Sequence, residues 1–133
     1  MMIKPLEIQI RFSDIDIMGH VNNSIYLNYF ESGRMHYLVS LLGMDWDWRK
    51  NGIILKTNEI EYFKPVFLGE KPLVKVYLET IGTKSFSLAY ELTVNDEVKT
   101  TGKSVLVSFD FLENKTKELD DKFRLALQKL ETK

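Results

Sequence analysis

"NSIYLNYFESGRMHYLVSLL", residues 23 to 42, decides the fold of this chain. Ile25, Tyr26, Tyr29, Phe30, Gly33, Tyr37, Leu38 and Leu41 recur at helical spacing and cover more than half of the circumference. Ser24, Asn28, Glu31 and Ser32 fall together on one narrow polar stripe. A helix so widely apolar is mostly buried. Asn22 or Asn23 is placed to cap its start, and Gly43 to stop it.

The flanking sequence supplies what buries it. Upstream, Ile8, Ile10 and Phe12 alternate with Glu7, Gln9 and Arg11, the period of a half-buried strand. Downstream, past a loop holding Trp46 and Trp48, the pattern is strand after strand. Residues 53–63 form the first of these, ended by Pro65, with Gly69 marking a turn. Residues 73–81 form the next. In 85–94, Phe86, Leu88, Tyr90, Leu92 and Val94 alternate cleanly with smaller or polar residues, and "NDE" at 95–97 is a hairpin turn. Residues 98–111 place Val105, Val107, Phe109 and Phe111 on one face. A charged amphipathic helix over 119–130 follows. One antiparallel five-stranded sheet wrapped around a long central helix buries both apolar surfaces most economically, an α+β fold in a single domain over 1–133.

Composition narrows the function. The chain has 133 residues, 44% hydrophobic and 28% charged, an ordinary globular balance. No run is long and apolar enough for a bilayer, and the alternating start lacks the apolar core of a signal peptide. Without cysteine there is no thiol chemistry or thiolate metal site, and a cytoplasmic location is the expectation. A net charge of −1 argues against nucleic acid as partner. The two histidines, His20 and His36, have no metal-ligand spacing, and no P-loop or dinucleotide fingerprint occurs, so neither metal nor other cofactor is expected.

The chemistry concentrates in "DIDIMGHVNN", Asp14 to Asn23, at the entrance of the buried helix. A helix start carries free N–H groups and about half a positive charge. An oxyanion forming there gains about 2.7–4 kcal/mol from one well-placed donor. Gly19 admits close approach of the backbone to a ligand. Asp16, a few residues upstream, aims a carboxylate at the same point as base or nucleophile, the minimum for splitting an ester or thioester. Capping and turn formation also account for such a cluster, and both readings stand at this point.

"FSDIDIMGHVNNSIYLNYFESGR" resembles the signature of the hotdog-fold acyl-CoA thioesterases, the 4-hydroxybenzoyl-CoA thioesterase-like family. "YFKPVFLGEKPLVKVYLETIGTKSFSLAYEL" resembles that family's strand–Pro–Gly–strand–Gly–Ser–strand layout. The resemblance implies a catalytic carboxylate at Asp16, an oxyanion-holding amide near Asn23, and assistance by His20, which also has a plain backbone-bonding reading. It implies hydrolysis of a fatty or aromatic acyl-CoA to free acid and coenzyme A. Alternatives are an acyl-ACP thioesterase and a non-catalytic acyl-CoA sensor. A homodimer or homotetramer joined edge to edge, with sites between subunits, is implied too. Asp14 is read as orienting the loop, Tyr26 as core or acyl contact, and Glu31 with Arg34 as a surface or interface ion pair. Lys64, Lys84 and Lys103 are candidates for the coenzyme A phosphates. Trp46 and Trp48 either lid the acyl tunnel or cover the end of the core.

Overall fold

The computed structural model describes residues 2–133. Helix α1 spans Tyr26–Leu42 and is entered through a 3-10 turn, Asn23–Ile25. The side chain of Asn22 caps that turn, accepting the Ser24 N–H at 3.0 Å. Regular α-helix therefore begins three residues later than the apolar period predicts, because the first turn is wound tighter. Leu42 ends it and Gly43 follows, as expected, with its N–H donated to the Val39 carbonyl at 2.8 Å.

The strands are β1 (Leu6–Glu7), β2 (Gly52–Tyr62), β3 (Leu73–Ile81), β4 (Ser85–Val94), β5 (Glu97–Asp110) and β6 (Lys115–Thr116). Five of them form one antiparallel sheet in the order β1-β3-β4-β5-β2, and the two-residue β6 adds to the end of β5. The sheet curls around α1, the hotdog arrangement that the resemblance implies. The Asn95–Asp96 turn between β4 and β5 takes positive φ at both residues, the geometry of a two-residue hairpin.

Packing explains the curl. Tyr26, Tyr29, Phe30, Tyr37, Leu38 and Leu42 meet Val74, Val76 and Leu78 of β3, the inward side chains of β4, and Leu106 of β5. Gly33 lets the helix lie directly on β3, since a Cβ there would collide with a methyl of Val74. The polar stripe of Ser24, Asn28, Glu31 and Ser32 faces out, as predicted.

Three expectations need correction. The first strand is only Leu6–Glu7. Ile8 is buried and its N–H still reaches the Pro72 carbonyl at 2.8 Å, but Phe12 is exposed in a 3-10 turn. Alternation stops being a strand there because Asp14 pulls the chain into a loop, described below. On β5, Val105, Val107 and Phe109 share one face, the outer one, but Phe111 lies beyond the end of the strand; Ser104, Leu106, Ser108 and Asp110 turn inward. Arg34 is buried, its guanidinium donating to the Tyr90 hydroxyl at 3.0 Å, while Glu31 is exposed 3.6 Å away. The pair is thus a core arginine with one wet partner.

Helix α2, Asp121–Gln128, is capped by Asp120 and buries Phe123, Ala126 and Leu127. Trp46 and Trp48 pack against Phe123 with centroids 6.0 and 6.1 Å away, at the C-terminal end of α1. They cover the end of the core. The other feature left open is β2, which among the described residues pairs only with β5 and exposes Ile54 and Leu55.

The Gly33–Val74 contact is testable. Gly33→Val should lower unfolding free energy by about 1–3 kcal/mol through overpacking, measured by urea denaturation, despite the better helix former it introduces.

Candidate active site

The loop before α1 is a small hairpin. Ile15 bridges Val21, the Asp16 N–H donates to the His20 carbonyl at 3.0 Å, and the Gly19 N–H closes on the Asp16 carbonyl at 3.0 Å. Gly19 sits at φ +88°, and a Cβ there would meet nothing within 4 Å. Its glycine is therefore demanded by the turn. The Val21 N–H ties the hairpin to the Val66 carbonyl at 2.8 Å.

Asp14 anchors this hairpin to the helix. Its carboxylate, 1% exposed, accepts the Tyr29 hydroxyl at 2.6 Å, the Arg11 backbone N–H at 3.1 Å and the Arg11 guanidinium at 3.2 Å. Burial pushes this carboxyl up, but the hydrogen bonds from Tyr29 and Arg11 outweigh it and hold it below 3.8. Tyr29 moves the other way: burial and the neighbouring Asp14 carboxylate raise its hydroxyl well above the ordinary value of 10.0. Asp14 stays charged and Tyr29 stays protonated, so the tether holds at neutral pH.

Beyond the hairpin lies a recess of about 220 Å³ lined by His20, Asn23, Tyr26, Tyr62, Phe63, Lys64 and Pro65. The Tyr62 hydroxyl donates to the Asn23 carbonyl at 2.7 Å and its ring packs edge-on against Tyr26, centroids 5.2 Å apart. This clamps the end of β2 onto the helix entrance. His20 lies 4.0 Å from the Asp16 carboxylate, 3.3 Å from the Val21 carbonyl, and edge-on to Phe67. Asp16 is half-buried, is not itself a wall of the recess, and already accepts the Met18 N–H at 2.9 Å. Lys64 reaches the recess while paired with Glu97, which also binds Lys99 at 3.1 Å. Hydrogen bonds from Lys64 and then Lys99 keep the Glu97 carboxyl below 4.5.

The structure thus gathers His20, Asn23, Tyr26 and Lys64 around one recess, with Asp16 and Gly19 in the adjoining hairpin. Lys84 is elsewhere. Thr100 pairs with both Tyr62 and Leu92, and Lys84 precedes Leu92 by eight residues along β4, roughly 25 Å at strand rise. Lys103 lies on the outer face, 2.6 Å from Glu79. Tyr62 was not singled out from sequence, where it reads as one more strand residue; only the β2–α1 contact gives it a role. Among the described residues no cluster of three histidine or acidic side chains has metal-holding geometry.

A five-stranded antiparallel sheet curled around one long helix defines a hotdog domain. Residues 10–127 match the model of the thioesterase-like superfamily. The chain belongs to that superfamily and is a thioester hydrolase. It is 24% identical over 127 residues to the long-chain acyl-CoA thioesterase FadM of Escherichia coli, covering 93% of this chain and 96% of that one. A match to the uncharacterised protein YsmA of Bacillus subtilis, 27% identical, spans 56% of that relative's length. Among solved structures, a predicted thioesterase from Bacillus stearothermophilus superposes with TM-score 0.85 at 27% identity, covering 96% of both chains. A Thermus thermophilus thioesterase complexed with coenzyme A and Zn gives 0.82 at 27% identity, covering 94% of this chain and 91% of that one. Among the described residues no helix is long and apolar enough to cross a membrane.

The Asp14 tether has a pH signature. A carboxyl held below its unfolded value contributes stability above that value and loses it as pH falls through the folded one. Asp14→Asn should cost about 1.5–3 kcal/mol at pH 7 in denaturant unfolding, the worth of charged hydrogen bonds. The gap from the parent chain should shrink as pH falls below 3.8. A gap that is constant with pH would refute the charged tether.

Proposed function

We propose that the protein hydrolyses an acyl-CoA thioester, fatty or aromatic, to the free acid and coenzyme A. The observation that carries this reading is the recess itself: His20 and Asn23 line it at the start of a buried helix, and the Asp16 carboxylate stands 4.0 Å from His20. The thioester carbonyl sits against the helix entrance, where the Asn23 amide and the helix dipole stabilise the oxyanion. Asp16 takes a proton from water as the water oxygen bonds to the carbonyl carbon, or attacks that carbon itself. The tetrahedral intermediate collapses, the carbon–sulfur bond breaks, and the thiolate leaves and is protonated; on the nucleophile route water then hydrolyses the resulting acyl–Asp16 anhydride, giving the free acid and restoring the carboxylate. His20 orients the water or carbonyl, Gly19 keeps the turn tight, and Tyr26 with Tyr62 walls the thioester. Lys64 meets a coenzyme A phosphate by exchanging its Glu97 partner. The steps require neither a metal nor a redox cofactor.

The single chain leaves this site open on one side. Ile17 and Met18 at the hairpin tip, with Phe63, Phe67 and Leu68, are exposed apolar residues near the recess. The eleven-residue β2 presents an unpaired edge, which natural sheets cover. A second copy joining through β2 would cover both, placing each site between subunits as a homodimer or a dimer of dimers. Sedimentation at micromolar concentration should give a dimer or tetramer; a monomer alone refutes the edge-to-edge assembly.

Release of free thiol across a panel of acyl-CoAs tests the activity, with acyl-carrier-protein thioesters as the competing substrates. Asp16→Asn should lower kcat by about 10²–10⁴-fold or more while substrate still binds, because the oxyanion donors and pocket remain. Turnover near the parent value in that folded variant would remove the carboxylate from the mechanism. Single turnover in ¹⁸O-water then separates base from nucleophile. Only the nucleophile route places label in the Asp16 side chain.

A further inference from the structure

The edge of the sheet opposite β2 contains a gap with unsatisfied polar groups. Leu6 pairs with Val74 at one side of it, and Glu131 and Lys133 hydrogen-bond Leu78 at the other. By the alternation of an antiparallel strand, Val76 presents its N–H and C=O to the space between. Continuing the β1 ladder would bring Lys4 opposite Val76, but the chain turns aside there. The Lys4 carbonyl instead bonds Nε2 of His36 at 2.9 Å.

Behind this gap is a cavity of about 260 Å³, walled by Met2, Ile3, Tyr37, Val76 and Leu130 and rimmed by Lys75, Lys129 and Glu131. Tyr37 is 4% exposed, and its hydroxyl makes no hydrogen bond among the described residues. The Val76 main chain is near enough to act on its ionisation, yet the pair does not reach hydrogen-bond geometry. A buried hydroxyl left without a partner calls for an occupant. Burial raises the Tyr37 hydroxyl above 10.0, so it is a donor at neutral pH. Two ammonium groups against one carboxylate, with Lys75 already 3.4 Å from Glu131, leave the rim with one net positive charge. At about 30 Å³ per water-sized group the cavity holds roughly nine heavy atoms.

We propose that this cavity is a second ligand site, for a small monocarboxylate with an apolar body, the size of hexanoate or benzoate. The carboxylate takes the Tyr37 O–H and the Val76 N–H, Lys129 neutralises it, and the body lies against Ile3 and Leu130. Tyr37 is eleven residues along α1 from Tyr26, about 16 Å, so the site is separate from the recess at the helix start. The proposal does not rest on the hydrolase reading.

Sodium hexanoate and sodium benzoate titrated into the full chain, followed by amide chemical shifts, test it. Saturable shifts are expected at Ile3, Val76 and Leu130 with Kd about 1 mM or tighter. Hexylamine should bind at least tenfold more weakly. Tyr37→Phe should weaken the acid at least tenfold without lowering the melting temperature, since it removes only an unpartnered hydroxyl. Should that variant fail to fold, Leu130→Trp fills the cavity and should abolish binding. Asp16→Asn should leave it intact, which separates this site from the recess. The proposal is overturned by any of four results: no saturable binding; shifts confined to His20, Asn23 and Tyr62; equal binding of acid and amine; or ordered water alone in crystals grown with the acid.

Discussion

Everything in this molecule follows from the need to bury a helix that is apolar around most of its circumference. A single helix partner would cover one stripe of α1 and leave Tyr29 on one flank, or Leu38 and Leu42 on the other, in water. A curled sheet covers them together, at about 25 cal/mol for each Å² of apolar surface withdrawn from solvent. The approach is set by Gly33 against Val74.

The same constraint makes the site a rigid one. The hairpin carrying Asp16 and Gly19 is bolted to α1 by Asp14 and Tyr29, to Val66 in the loop between β2 and β3 by Val21, and its neighbour β2 is latched to Asn23 by Tyr62. A carboxylate on a loop gains precision only when the loop is fixed to regular structure. Here the loop's own buried aspartate, Asp14, provides that fixing, and Asp16, two residues on, is left half-buried beside His20.

Much of this was legible in the sequence because it is written in periodicity. The four long strands, both helices, a cap at Asn22 or Asn23 and the stop at Gly43 follow from spacing and from residues with special backbone chemistry. Asp14 and Asp16 are distinguished in sequence only by the family resemblance, and the structure gives them different environments, one buried and saturated with donors, one half-buried beside His20. What escaped is tertiary. The first strand was drawn too long because Phe12 keeps the alternation while Asp14 breaks the strand through contacts with Tyr29. The inward face of β5 carries Ser104, Ser108 and Asp110, so its alternation does not by itself say which side meets the helix. Arg34 seemed a surface cation because its partner Tyr90 is 56 residues away. Lys64 and Lys84 looked equivalent, and only the sheet register separates them.

The two tryptophans carry an optical consequence. Trp46 and Trp48 stack around Phe123 at the end of α1 farthest from the recess, about 25 Å away along a seventeen-residue helix. Their emission therefore follows the docking of α2 onto the core. It is a faithful reporter of whether the domain is folded, and a spectator to what enters at the other end. Chromophores that report on the recess are the tyrosines, Tyr26 and Tyr62, which face one another at its wall.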